Sequence, residues 1–359
     1  MPQGHGISHL LILTPGFPGS EAETDCLPAV QQFILAYRKT YPAVSVTIFT
    51  VHYPHRQGEY QWHGCRVYAW GNSNKGGVRK AMTVMKLMSR AKHIHASHPF
   101  NAVLSFWLTD TALIAKMLAK RVNIPYLVWM HGQDAKAGNK YVRRIKADME
   151  RLAAISALQK TVFEQAYGSV PAHVIPNGIN EDCFPRLNMQ KRKIDLLAVG
   201  SLTPLKQYHL FVDVVSHIKR SGFDTVNAIL VGEGETEPAL RRRIAEAGLD
   251  RNITLTGKIQ HARVLELMNE ASIFVHTSSY EGHSTVMLEA LYSGCNVVSF
   301  LPAGEGQIVN FYPCADLAGM QDTCLSLCRT GHIYSRVKVS DMTDSARQVQ
   351  HILTSMVPI

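Results

Sequence analysis

Short apolar runs alternate along this chain with amphipathic stretches, and the alternation restarts once. The opening HLLILTPGFPGS is an apolar run that ends in a Gly/Pro turn, followed by an amphipathic stretch through Arg38. VSVTIFTV is a second strand, and FNAVLSFW, an Ala/Leu-rich helix to about Lys120 and IPYLVWMHGQD repeat the order. VPAHVIPNG closes this half at about Asn180. The grammar then begins again with KIDLLAVGSLTPLKQ and continues through VNAILVGEGETE, a charged helix to Ala247, NITLTGKI, SIFVHTSS and CNVVSFLP. Continuous apolar strands alternating with helices of about 10–15 residues predict parallel sheets covered on both faces. The pattern therefore predicts two successive doubly wound α/β units: 1–180, a linker over 181–193 centred on the polar, basic stretch Asn188–Lys193, 194–340, and a closing helix within 341–359.

Length agrees, since 359 residues exceed one comfortable core. With 46% apolar and 18% charged residues, the composition excludes a disordered or fibrous chain. The seven cysteines are scattered without a CxxC pair, which reads as a reduced chain without structural zinc. No apolar run approaches the ~18 residues of a spanning helix, and Leu10–Leu13 is too short for a signal peptide. The expected location is cytoplasmic, at most peripheral at the inner face of a membrane.

Charge changes the picture more. The net formal charge is +9, but residues 1–180 hold 20 Lys/Arg against 9 Asp/Glu, and residues 181–359 hold 17 against 19. The basicity belongs wholly to the first half, which points that half toward a polyanionic partner. Residues 75–98 combine six Lys/Arg with Val78, Met82, Val84, Met85, Leu87 and Met88. Two readings fit: a basic amphipathic helix on an anionic bilayer, or a sheet-covering helix with a basic outer face. The run His93, His95, His98 has no flanking acid and reads as polar surface rather than a metal site.

In doubly wound folds ligands sit at the carboxyl ends of the strands, so the loops there carry the candidate chemistry. Thr14–Ser20 places Gly16 and Gly19 after the first strand, where backbone N–H groups can approach an oxyanion, although a plain turn is the simpler reading. No G-x-G-x-x-G is present, and VGEGETE lacks its third glycine. His131 closes a strand in WMHGQD, with Asp134 on the same loop. Lys206 stands at a helix entry, where it can neutralise a phosphate or simply be solvated. In SYEGHSTVMLEA, a helix starting near His283 or Ser284 leaves Glu281 in the preceding loop and Glu289 inside the helix. The first-turn N–H groups of Ser284, Thr285 and Val286 are then open to a phosphate.

Taken together, WMHGQD, VIPNGINEDCF, VGSLTPLKQYHLFVDVV, ITLTGKI, LMNEASIFVHTSSYEGHSTVMLEAL and GCNVVSF run in one order from about residue 125 to 300. In these motifs the chain resembles the retaining glycosyltransferases of family 4, which have the GT-B fold. The resemblance implies two Rossmann-like domains facing a central cleft, with the acceptor on the N-terminal one and a nucleotide-sugar donor on the C-terminal one. It implies that Glu281 touches the donor sugar and Glu289 the ribose, and that Lys206 holds the diphosphate. It further implies that the N–H groups of Ser284, Thr285 and Val286 cradle the terminal phosphate, that His131 reaches toward the donor sugar and that Gly16 admits the diphosphate. No metal and no further cofactor are implied, because Lys and helix N–H groups stabilise the charge.

The sequence departs from the family pattern in three places. Ser201 stands where an Arg is common, E-G-F-G reads Glu281-Gly282-His283-Ser284, and the C-terminal crossover helix is reduced to about 341–355. The leading expectation is a transferase that builds a cell-surface polysaccharide or glycolipid, with a saccharide or lipid-linked acceptor and an anionic membrane surface as partners. A nucleotide-sugar-binding protein without catalysis and a nucleotide-sugar epimerase are the alternatives. A nucleic-acid partner is not expected, since the cations are not interleaved with aromatics.

Overall fold

The computed structural model describes residues 6–146, 148–190, 192–330 and 334–357. The chain divides into two compact units, one of residues 1–177 with 342–359 and one of residues 178–341. Residues 181–193, expected as a linker, lie inside the second unit. The reason is Arg192, whose buried guanidinium donates to the carbonyls of Met268, Ala271 and Ser293 and lies over the Tyr334 ring at 4.1 Å.

In chain order the first unit contains β1 (His9–Gly16), α1 (Pro28–Thr40), β2 (Ser45–Tyr53), β3 (Gly58–Trp62), β4 (Cys65–Ala69), α2 (Gly77–Ser97) and β5 (Ala102–Phe106). It continues with α3 (Asp110–Val122), β6 (Tyr126–Trp129), α4 (Lys140–Ile145), β7 (Leu152–Ala154), α5 (Ala157–Tyr167) and β8 (His173–Val174). The eight strands lie in the order β3-β4-β2-β1-β5-β6-β7-β8, parallel except for the β3–β4 hairpin. That hairpin turns through His63 and Gly64, both at positive φ, as a tight two-residue connection requires.

The second unit contains β9 (Ile194–Val199), α6 (Tyr208–Arg220), β10 (Ala228–Val231), α7 (Glu237–Glu246), β11 (Ile253–Leu255), α8 (His261–Glu270) and β12 (Ala271–His276). Then come α9 (Thr285–Tyr292), β13 (Asn296–Ser299), β14 (Phe311–Pro313) and α10 (Leu317–Thr330). Its six strands run parallel in the order β11-β10-β9-β12-β13-β14. The last helix, α11 (Met342–Ser355), packs on α1 and belongs to the first unit.

Strand alternation explains the layering. On β1, Leu10 and Ile12 face the cluster under α1 and α11, while Leu11 and Leu13 face the cluster under α2 and α3. On β9, Leu196 and Ala198 meet α6 and α10, and Leu197 meets α8 and α9. Both faces of each sheet are covered over its central strands, while the edge strand β3 keeps Gly58, Glu59 and Gln61 exposed.

Candidate donor site at the strand ends of the second unit

Neighbouring parallel strands β9 and β12 end side by side, and the loops that follow them are stitched together. Thr277 donates its hydroxyl to the Lys206 carbonyl at 2.6 Å, and the Ser279 N–H donates to the Leu205 carbonyl at 3.0 Å. Lys206 ends the 3-10 turn Pro204–Lys206, and Glu281 lies in the loop before α9. The stitching brings their side chains together: the Lys206 ammonium donates to Glu281 Oε1. The same oxygen accepts the Ser278 hydroxyl at 3.2 Å and lies 3.6 Å from His276 Nε2. Burial pushes the Glu281 carboxyl upward, but His276 and Lys206 outweigh it and hold it at about 2.

His276, the last residue of β12, was not singled out in the sequence, where a histidine at a strand end reads as core. Its Nδ1 meets Ser299 Oγ at 3.0 Å and its Nε2 meets Ser284 Oγ at 3.2 Å. Burial lowers its pKa, so the ring is neutral at pH 7 and acts as a hydrogen-bonding bracket. Ser284 is the N-cap residue of α9, with Thr285 and Val286 opening the helix. No acidic residue lies in the first turn, so nothing in that turn neutralises the positive end of the helix dipole. The next departure from the family pattern, His283, has its Nδ1 buried, and burial lowers that imidazole to about 4.

Glycine has a defined task beside Lys206. Gly200 has φ 153, and a Cβ there would lie 2.6 Å from the Tyr208 hydroxyl and 3.5 Å from Lys206 Cε. The glycines of VGEGETE serve the same loop rather than a dinucleotide. A Cβ on Gly232 would overlap the Gly200 carbonyl, and one on Gly234 would lie 2.7 Å from the Leu202 carbonyl carbon. Glu289 sits within α9, buried, and its Oε1 pairs with His261 Nε2 at 2.9 Å. His261 opens α8 and also went unselected in the sequence, being 28 residues away.

In the first unit, His131 follows β6, is buried and packs its ring against Trp129 and Trp107 at centroid distances of 4.8 and 5.0 Å. Asp134 fixes that loop by accepting the N–H groups of Leu108 at 2.8 Å and His131 at 3.1 Å. Burial raises the Asp134 carboxyl to about 7 against the pull of those two donors. Trp107 takes a left-handed backbone with φ 64 beside it. Gly16 ends β1 at a register shift opposite Tyr53, and a Cβ there would make only ordinary contacts. The Gly19 N–H, offered by the sequence as an oxyanion donor, is taken by Glu23 Oε2 at 2.7 Å. Of the histidine run, His95 accepts the Phe100 N–H at 3.1 Å through Nδ1, a structural bond.

A helix start without an acidic first turn, a lysine–glutamate pair and a second buried glutamate are the chemistry-bearing features of this unit, at the strand ends where ligands of doubly wound folds sit. Residues 180–311 match the family described as "Glycosyl transferases group 1". The match lies within the second unit, and the two mostly parallel Rossmann-like sheets have the GT-B fold of the solved structures that the chain is similar to.

Among curated relatives, the phosphatidylinositol N-acetylglucosaminyltransferase GPI3 subunit of Saccharomyces cerevisiae is 27% identical over 133 residues, 35% of this chain and 29% of that protein. The matched region thus spans under a third of the length of that relative. Among solved structures, sucrose-phosphate synthase from Thermosynechococcus elongatus superposes with a TM-score of 0.68 at 17% identity, covering 98% of this chain and 94% of the other. Anabaena HepE in complex with UDP and glucose gives 0.67 at 17% identity, covering 98% and 100%.

Proposed function

We propose that the chain is a retaining glycosyltransferase that moves a sugar from a nucleotide-diphosphate sugar to a saccharide or lipid-linked acceptor in cell-surface polysaccharide or glycolipid synthesis. One observation carries the reading: Lys206 and Glu281, from the loops after β9 and β12, are bound to each other next to the start of α9. An arriving diphosphate offers Lys206 a stronger partner than a carboxylate that His276 and Ser278 already hold. Lys206 then turns to the diphosphate and neutralises charge as it develops on the leaving group. Glu281, released from the ammonium but still bracketed by His276 and Ser278, is free to accept the donor sugar's hydroxyl groups. The N–H groups that open α9 take the terminal phosphate, and Glu289, oriented by His261, takes the ribose hydroxyls. His131 and Gly16 of the first unit enter this reading on the family resemblance alone. The solved HepE complex contains UDP, so UDP-sugars are the first donors to test.

Ser201 favours a second reading, a nucleotide-sugar-binding partner without turnover. It stands exposed where a second cation is common in the family, leaving Lys206 as the Lys/Arg cation bonded to Glu281 among the described residues. Thermal-shift titration against UDP-, GDP- and ADP-sugars, followed by donor hydrolysis and transfer assays, separates the two. A stabilising donor with turnover that Glu281→Ala abolishes supports the transferase. Stabilisation without turnover by wild type supports the partner reading, and no response to any nucleotide sugar overturns both.

A further inference from the structure

Among the described residues the outward face of α2 is left uncovered, and its chemistry is not that of an ordinary covering helix. One side of this 21-residue helix does the covering: Thr83, Leu87, Ala91 and Ile94 are buried against the sheet. The opposite side carries Val78, Met82 and Met85, which are 77%, 52% and 71% exposed. At i, i+4 and i+7 they form one continuous ridge rather than scattered apolar positions.

Cations flank the ridge. Arg79 and Lys86 rise along one edge and Lys92 along the other, all exposed, and residues 75–98 contain no Asp or Glu. The neighbouring α4 adds exposed Arg143 and Arg144. The two helices are tied through Tyr141, whose hydroxyl accepts from Lys80 Nζ at 2.8 Å and whose ring lies 5.4 Å from Lys80 and 5.8 Å from Arg144. Lys80 is itself neutralised by buried Asp110, at 2.6 Å. It is therefore the pin that fixes the two basic helices side by side, not part of their open charge.

We infer that this face of α2 and α4 docks on an anionic lipid bilayer, with Val78, Met82 and Met85 entering the headgroup boundary and the flanking cations meeting lipid phosphates. The combination selects the occupant. Cations alone would suit any polyanion, but a nucleic acid leaves a methionine and valine ridge without a partner, and the ridge has no aromatic ring to stack on bases. A bilayer takes both parts at once. The inference deepens the proposed function by naming the surface where a lipid-linked acceptor is met. It rests on that reading only for the acceptor, because vesicle binding is measured without sugar transfer.

The test is co-sedimentation of the full chain with phosphatidylcholine vesicles and with vesicles containing phosphatidylglycerol, at low and high salt. Wild type is expected to bind the anionic vesicles more than about tenfold better than the neutral ones, and to lose that preference as salt rises. The paired variant Met82→Asp/Met85→Asp and the paired variant Arg79→Glu/Lys86→Glu should each lose about tenfold or more. The charge-matched control Arg220→Glu/Arg251→Glu, in the second unit, should bind like wild type. Unchanged melting temperatures show that the fold survives, and Met85→Ser serves should the aspartate pair melt early. Equal binding to both vesicle types, or full binding by the Met82/Met85 variant, overturns the proposal. So does a wild-type affinity for heparin or duplex DNA equal to that for vesicles and untouched by the methionine changes. Donor turnover measured in parallel without vesicles reports on the transferase reading separately.

Discussion

The Lys206 ammonium and the Glu281 carboxylate are bound to each other, although 75 residues separate them. Two charges drawn from different motifs thus hold one another in place. Lys206→Ala removes the group proposed to meet the diphosphate and leaves Glu281 on His276 and Ser278. We expect kcat/KM for the donor to fall about a hundredfold or more, and the melting temperature to fall modestly, because His276 and Ser278 still hold the Glu281 carboxylate. A kcat/KM within about threefold of wild type would place the pair outside the reaction.

The same pair sets an acid limit. Glu281 is held at about 2, below its ordinary 4.5, so the folded state takes up its proton later than the unfolded chain. The stabilisation is complete above about 4.5 and is lost as pH falls from there toward 2. It amounts to something on the order of 3 kcal/mol. Urea unfolding of wild type and Glu281→Gln at pH 7 and pH 3 reads this directly. The wild-type advantage present at pH 7 should shrink to less than half at the lower pH.

Asp134 works in the opposite direction. Its carboxyl is raised from 3.8 to about 7 by burial, so the folded state binds a proton that the unfolded chain has released. That contribution is full below about 3.8 and disappears as pH rises through 7, with a slope of at most about 1.4 kcal/mol per pH unit. Asp134→Asn can still accept the Leu108 and His131 N–H groups, and its melting temperature should be flatter between pH 4 and pH 7 than that of wild type.

His276 tests whether Glu281 must be aimed. Three groups meet its ring: Ser299, Ser284 and Glu281. His276→Ala should lower kcat about ten- to hundredfold with a smaller change in donor KM, since Lys206 and the start of α9, the groups proposed to hold the diphosphate, remain. A fall in stability at unchanged kcat would make the histidine purely structural.

A Cβ on Gly234 has no room against Leu202, while one on Gly76 meets nothing within 4 Å. Gly234→Ala should cost about 3 kcal/mol or more, or prevent folding, and Gly76→Ala should stay within about 1 kcal/mol. Chemical denaturation of the two variants decides whether VGEGETE is spaced for backbone contact.

The central strands of both sheets were legible because they are buried on two faces and read as unbroken apolar runs between helices, whereas the short or exposed β3, β4, β7 and β14 were not. Lys206 and Glu281 stood out as ionisable residues in loops that follow apolar strands, and Glu289 as a carboxylate on the helix after Glu281. Their partners did not. His276 sits in SIFVHTSS like any core residue, and His261 is two elements away from Glu289. Arg192 looked like the charge of a solvated linker until three carbonyls closed around it. Gly19 looked available until Glu23 folded back onto its N–H. Periodicity reports which face a residue buries. It does not report which side chain from a distant loop arrives to meet it.

The seat of α11 on α1 has one more consequence, for the order in which the molecule is made. Met342, Ala346, Val349 and Leu353 complete the core that Phe33 and Tyr37 begin, and the Tyr37 hydroxyl is bonded to Gln350. The first unit to leave the ribosome is thus the last to be finished. Its α1 face waits uncovered while residues 178–341 are synthesised and can close their own core. Birth order and completion order are reversed. The nascent first half is the part with a reason to meet a chaperone.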